Sequence, residues 1–310
     1  MNSNPRIIFM GTPDFAVASL RALFESGFHV AAVVTAPDKP AGRGLRLMES
    51  AVKQYAVKKN IPFLQPVKLR DPQFLEQLKS YQAEIQVVVA FRMLPEMVWR
   101  MPSMGTINLH GSLLPQYRGA APINRAIMNG ETKTGVTTFK LQQEIDTGNI
   151  LLLEEIPIGP NETAGELHDR MKEIGASLVV HTIRGLLDGT LQEKPQRVAD
   201  PLTLKTAPKI FTADCEINWL EPVSKIYNQI RGLSPFPGAF TPFKDKTLKI
   251  IKSHPEEKDH RLKPGEMETD GRKWLRFSAA DGYIYVEEIQ LEGKKRLLIA
   301  DFLRGFKPKA

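Results

Sequence analysis

The chain has 310 residues, 42% of them apolar and 25% charged, with a formal net charge of +7. That length allows one large core or two ordinary domains, and the composition is that of a globular chain. No run of about eighteen apolar residues occurs, which excludes a helical membrane span. Cys215 is the only cysteine, which excludes an internal disulfide and a cysteine-based zinc site.

In chain order, Arg6-Ile7-Ile8-Phe9-Met10-Gly11 reads as a strand closed by glycine. Ala16, Leu20, Leu23 and Phe24 follow at helical spacing, stopped by Gly27. His29–Val34 is a second strand, 50–59 a helix, 62–64 a short strand, and Phe74, Leu75 and Leu78 mark another helix. Ile85–Ala90 and Thr106–His110 complete a series of β-branched strands separated by helical patterns. That order predicts an α/β domain with a mostly parallel sheet covered on both faces. A long helix over 164–187 ends at Gly189. Residues 190–209 contain Pro195, Pro201 and Pro208 and read as a linker. Beyond a helix over 222–232, the pieces 248–251, 283–286 and 296–299 predict a small β-barrel. The expected division is therefore 1–189, a linker at 190–209 and a second domain at 210–310.

Gly11-Thr12-Pro13-Asp14-Phe15 sits where nucleotide-binding folds place a phosphate loop. It lacks the glycines of G-x-G-x-x-G, so it reads as a tight turn with Asp14 as a helix cap. No P-loop motif occurs either. Asn108 and His110 alternate onto one side of their strand, which ends at Gly111, so both side chains project near its C-terminal end, where open α/β sheets bind ligands. Asp146 lies in a turn between two apolar segments. It reads either as a local cap or as a carboxylate within reach of His110, where it would favour the protonated imidazole. Ser112 has no G-x-S-x-G elbow around it and is not read as a nucleophile. Between Asp38 and Arg70 eight cations face only Asp38 and Glu49, a local charge of +6. Such a stretch is either a solvated basic surface or a docking face for a polyanion.

Asn108, His110 and Asp146, with the loop Ser112-Leu113-Leu114-Pro115, resemble the catalytic trio and folate-binding loop of the tetrahydrofolate-dependent formyltransferases. Phe9–Phe15 and Asp146-Thr147-Gly148 are similar to that family's pattern as well. The resemblance runs over nearly the whole chain and implies a Rossmann-like catalytic domain followed by a smaller OB-like barrel. It implies 10-formyltetrahydrofolate as formyl donor, no metal, and attack by an amine whose oxyanion is stabilised by Asn108 and His110, assisted by Asp146. Ala207-Pro208-Lys209-Ile210, Ile217-Asn218-Trp219 and Pro235–Ala239 resemble the linker and second domain of members that act on methionyl-tRNA. Initiator methionyl-tRNA is the acceptor this implies, and Lys39, Arg43 and Arg46 fall in the loop that approaches the acceptor stem. The tail from residue 190 carries 22 cations against 17 anions and would add a nonspecific phosphate grip.

The remaining expectations are a cytoplasmic monomer with no signal peptide, no membrane association and no stable protein partner. Formyltransferases acting on a nucleotide-linked amino sugar share the trio and are the alternative. One departure stands out: Ala90-Phe91-Arg92-Met93-Leu94-Pro95 is one residue shorter than the family's A-Y-G-x-x-L-P and lacks its glycine.

Overall fold

A computed structural model describes residues 4–41, 46–198 and 200–305. Its backbone divides into two compact units, one formed by residues 1–119, 135–156 and 168–206, the other by 120–134, 157–167 and 207–310.

The first unit is built on β1 (Ile7–Gly11), α1 (Asp14–Glu25), β2 (Val30–Val34), a small hairpin of β3 (Lys39–Ala41) and β4 (Arg46–Met48), α2 (Ala51–Lys58), β5 (Phe63–Leu64), α3 (Pro72–Ser80), β6 (Ile85–Val89), α4 (Glu96–Trp99), β7 (Thr106–His110) and β8 (Arg118–Gly119). The chain continues through α5 (Pro122–Met128), β9 (Lys133–Lys140), β10 (Ile150–Pro157), the long α6 (Ala164–Leu187) and β11 (Thr206–Ala207). The main sheet has seven strands in the order β10-β9-β7-β6-β1-β2-β5. Pairing from β5 through β2, β1 and β6 to β7 is parallel, and β9 joins β7 antiparallel. This is the mostly parallel sheet that the alternating pattern predicts, in the Rossmann-like form that the resemblance implies.

Strand alternation sorts the core into two layers. Ile8, Met10, Ala32, Val34 and Val88 pack with Phe74 and Leu78 of α3 and Val98 of α4. Ile107 and Leu109 face the other way, where a Cβ on Gly175 of α6 would come within 2.7 Å of Leu109. Gly11 is demanded by close packing at the first turn, since a Cβ there would lie 2.6 Å from Ala16 and 2.9 Å from the Val89 carbonyl oxygen. Asp14 does not cap α1, contrary to the sequence reading. Pro13 occupies the N-cap without a side-chain bond, and the Asp14 carboxylate pairs with Lys172 of α6 at 2.8 Å.

The second unit contains α7 (Val223–Leu233), β12 (Ala239–Phe243), β13 (Lys246–Glu257), β14 (Met267–Thr269), β15 (Leu275–Ser278), β16 (Gly282–Leu291), β17 (Arg296–Leu298) and α8 (Ile299–Gly305). Its strands run β12-β13-β16-β15-β14, with β17 also paired to β16. The paired registers are antiparallel, and the sheet curls into an OB-like half-barrel. Ile226, Ile230 and Leu233 of α7 pack against Leu248, Ile250, Leu275 and Ile289. Trp219 stacks on Phe277 at 4.8 Å and donates its indole N–H to Thr241 Oγ1. Asn218, where the family commonly has an acid, accepts from Leu220 N with its amide oxygen at 3.2 Å, an Asx turn that a carboxylate would also make.

Gly135, on β9, has no room for a side chain: a Cβ would land on the Glu154 carbonyl oxygen and on Leu113. Gly135→Ala is expected to cost about 1–3 kcal/mol of stability through overpacking, read from urea unfolding.

Candidate active site

β7 carries the first two candidate side chains. Because Ile107 and Leu109 face α6, Asn108 and His110 face the opposite side and project at the strand's C-terminal end. Asn108 pairs in register with Val88 on β6 and Phe139 on β9. It is half-buried, and its amide has no hydrogen-bond partner among the described residues. His110 lies opposite Thr137 and is 6% exposed.

The imidazole is wired at both nitrogens. His110 Nε2 lies 2.9 Å from the Tyr117 carbonyl oxygen. A carbonyl only accepts, so Nε2 carries a hydrogen and donates it there. Nδ1 is therefore turned toward the Asp146 carboxylate, with Oδ2 at 3.6 Å. The same oxygen accepts from Gly119 N at 2.9 Å. Asp146 and Tyr117 both occupy the left-handed region, at φ of 54° and 58°, which carries the turns they sit in back toward the strand end. The structure thus brings Asp146 to His110 across 36 residues of sequence.

Two side chains that sequence reasoning missed hold this arrangement. Gln196 donates from Nε2 to the carbonyl oxygens of Asp146 and Gly148, both at 2.8 Å. Its Oε1 accepts two bonds from Arg118, at 3.1 Å from Nε and 2.6 Å from Nη2. Nearby, Glu193 meets Lys140 and Asn149, and the Lys140 hydrogen bond holds its carboxyl below the usual glutamate range. A depressed carboxylate stabilises the fold above its unfolded value, so this brace acts at neutral pH and is lost as acid titrates Glu193. Gly148 is needed because a Cβ there would meet the Lys140 carbonyl oxygen. Nothing in the sequence marks Gln196, which sits in the proline-containing stretch read as linker.

The loop after β7 is held by its own polar groups. Ser112 is fully buried, and its hydroxyl donates to the Gln116 carbonyl oxygen at 2.6 Å. Thr137 Oγ1 donates to Ser112 O at 2.7 Å and accepts from Leu114 N at 3.2 Å. Leu113 packs over Gly135, Leu114 is 4% exposed, and Pro115 follows it in a half-buried position.

The short Ala90–Pro95 segment turns without a glycine. Ala90 takes φ of 47°, and the Arg92 guanidinium donates to the Pro66 and Val67 carbonyl oxygens. Burial lowers the Arg92 pKa, which leaves a guanidinium fully charged. Of the basic loop, Lys39 is exposed on β3 and Arg46 lies on β4, whereas Arg43 lies outside the described residues. Among the described residues no group of three His, Cys, Asp or Glu side chains is placed to hold a metal ion.

Residues 5–183 match the formyl transferase family and residues 209–307 match the formyl transferase C-terminal domain. The chain belongs to the formyl transferase family. It is 48% identical over 307 residues to a methionyl-tRNA formyltransferase of Bacteroides fragilis, covering 97% of this chain and 95% of that one. It is 51% identical over 310 residues to that of Parabacteroides distasonis, covering 97% and 96%. Among solved structures, an N-formyltransferase from Helicobacter canadensis in complex with folinic acid and dTDP-3-aminofucose superposes with a TM-score of 0.68. It shares 21% identity, with 91% of this chain and 98% of that chain covered. HypX from Aquifex aeolicus in complex with tetrahydrofolic acid gives 0.66 at 18% identity, over 97% of this chain and 47% of that one. These two structures share the fold.

Gln196→Ala removes both hydrogen bonds that this side chain makes to the backbone of the Asp146 turn. We expect formyl transfer to fall about tenfold or more, since a small misplacement of a catalytic group is costly, with little change in melting temperature. An unchanged turnover would show that Asp146 is held without Gln196.

Proposed function

We propose that the chain transfers a formyl group from 10-formyltetrahydrofolate to the free amino group of methionyl-initiator tRNA. The observation that carries the chemistry is the pair Asn108 and His110 side by side at the C-terminal end of β7, with Asp146 against the second imidazole nitrogen. The names and near-complete coverage of the relatives support the acceptor. The division that goes with this reading is a catalytic domain at 1–189, a linker at 190–209 and a C-terminal tRNA-binding domain at 210–310; matches over 5–183 and 209–307 support two domains with a break between them. We place the reaction in the cytoplasm, in a monomer without membrane or stable protein partners.

In this reading the amine attacks the formyl carbon, a C–N bond forms, and an electron pair moves onto the formyl oxygen. The amide of Asn108 donates to that oxygen, and the side chain fits the role because no other described residue claims it. With the Nε2 hydrogen committed to Tyr117, Nδ1 of His110 is the nitrogen that serves the site. When it carries a proton, that nitrogen is the second donor. The proton lost by the attacking amine passes through the Asp146–His110 pair to the nitrogen of the donor as its bond to the formyl carbon breaks. Leu113, Leu114 and Pro115, on the loop shaped by Ser112, line the donor side. Lys39, Arg43 and Arg46 meet acceptor phosphates.

Asn108→Ala and His110→Ala are each expected to lower kcat about 10²–10³-fold while the protein still unfolds cooperatively at its usual temperature. Loss of structure in parallel with activity would assign these residues to the core instead. Transfer assayed with charged initiator tRNA and with a nucleotide-linked amino sugar tests the acceptor, and preference for the sugar would replace tRNA in this reading. Arg43→Ala should weaken tRNA use and reduce the salt slope by about 1 while sparing the donor KM. Identical tRNA kinetics across salt concentrations would remove Arg43 from the interface.

A further inference from the structure

The parallel strands of the main sheet all end on the edge where Asn108 and His110 project, so the loops that follow them gather there. In the order β7-β6-β1-β2-β5 the chain builds to one side of β1 and then to the other. The reversal falls between β1 and β6, where open α/β sheets form a crevice for ligands. β6 pairs with β7 so that Val88 lies opposite Asn108 and Val89 opposite Leu109. Ala90, the next residue, therefore leaves the sheet level with His110, and residues 90–95 form the wall of the crevice on that side.

This wall begins at Ala90, with its φ of 47°, and ends at Leu94, which is buried in the core shared with α3 and α4. Between them Arg92 reaches away from β6. Its Nη1 donates to Val67 O at 2.9 Å and its Nη2 to Pro66 O. Pro66 and Val67 follow β5, and β1 and β2 lie between β5 and β6 in the sheet. The clasp thus joins segments that belong to strands three spacings apart, roughly 14 Å. The loop that Arg92 grips is itself tied down, because Gln65 donates to Ala36 O, beyond β2, at 2.8 Å. Arg92 and Gln65 together join the segments after β6, β5 and β2 into one rim.

The rim carries apolar surface. Val67 is 76% exposed and Met93 is 73% exposed. One belongs to each clasped segment, so the clasp fixes the position of one relative to the other. Apolar side chains beside a crevice suit the flat rings of a small molecule, whereas an RNA backbone is met by cations.

We propose that Arg92 is a positioning residue for the formyl donor: it clasps the β6–α4 segment to the β5–α3 loop and so fixes the wall and rim of the crevice against which the rings of the donor pack. This rests on the reading of the chain as a folate-dependent formyl transferase. Arg92 acts through the two segments it holds, since its donors are directed at their carbonyl oxygens.

The full-length Arg92→Ala and Arg92→Lys variants test this. Hydrogen–deuterium exchange reads the clasp without any substrate. Amides within 65–68 and 91–94 of Arg92→Ala should exchange about tenfold or more faster than in the unsubstituted chain, because the two segments open more often. Steady-state kinetics read the function. The KM for 10-formyltetrahydrofolate should rise about tenfold or more with kcat within about twofold, while the KM for charged initiator tRNA stays the same. Lysine keeps the charge but lacks the planar fork that spans two carbonyl oxygens, so Arg92→Lys should resemble Arg92→Ala in both readouts. Full recovery with lysine would overturn the clasp in favour of a direct charge contact with the donor. Unchanged exchange would also overturn the clasp. Faster exchange with an unaltered donor KM would overturn its role in donor binding, as would a rise confined to the KM for tRNA. Absence of formyl transfer by the unsubstituted protein would overturn the function itself, and exchange would still decide whether Arg92 holds the two segments together.

Discussion

The hydrogen bond from His110 Nε2 to the Tyr117 carbonyl oxygen sets the direction of the whole site. A buried imidazole can present either nitrogen to its surroundings, and a carbonyl partner removes that freedom because it can only accept. Nδ1 is left facing Asp146, and hydrogen bonds to Tyr117 and Asp146 support this orientation. Tyr117 is held from its own N–H by the Lys205 carbonyl oxygen at 2.6 Å. Asp146 is held by Gly119 N at its carboxylate and by Gln196 at its backbone. A buried donor or acceptor left unpaired typically costs about 1–3 kcal/mol, which is why a web of this kind defines one geometry rather than several.

The sheet supplies the rigid frame on which this web hangs. β7 is flanked by parallel β6 and antiparallel β9, so neither of its edges is free to slip. A one-residue shift would turn Asn108 and His110 into the α6 interface and Ile107 and Leu109 toward the site. The Thr138 and Thr182 hydroxyls, 2.7 Å apart, and Leu109 against Gly175 lock the α6 face. The absence of a side chain at Gly135 lets Leu113 of the adjoining loop pack against β9. The precision with which Asn108 and His110 are aimed is a consequence of packing on the opposite side of the strand.

The Ala90–Pro95 segment shows how a motif can change while a turn survives. Glycine normally supplies a left-handed residue at no steric cost. Here Ala90 takes that conformation, while Arg92 clasps two carbonyl oxygens of the loop after β5. A side-chain clamp thus works beside a strained backbone where other members use a permissive residue. The family pattern makes the departure visible, but the compensating contact depends on Pro66 and Val67, which no local pattern connects to Arg92.

Local physics made much of the protein legible before any coordinates. Period-2 and period-3.6 patterning marks the strands of the parallel sheet, α6 and its stop at Gly189, because burial on one face dictates the spacing of apolar residues. Alternation alone also puts Asn108 and His110 on one side of β7. The weakly patterned elements, α5, β12 and the β3–β4 hairpin, escaped that reading, since they are short or held by contacts from distant residues. Asp146 is a harder case: its own turn explains it equally well as a local cap, and only the family resemblance linked it to His110. The tertiary structure decided what depends on long-range geometry, namely the nitrogen of His110 that faces Asp146 and the grip of Gln196 on the Asp146 turn. Hydrogen bonds between residues far apart in sequence leave no periodic trace, so the sequence by itself determined the frame and the chemical groups, while folding alone determined how those groups are aimed.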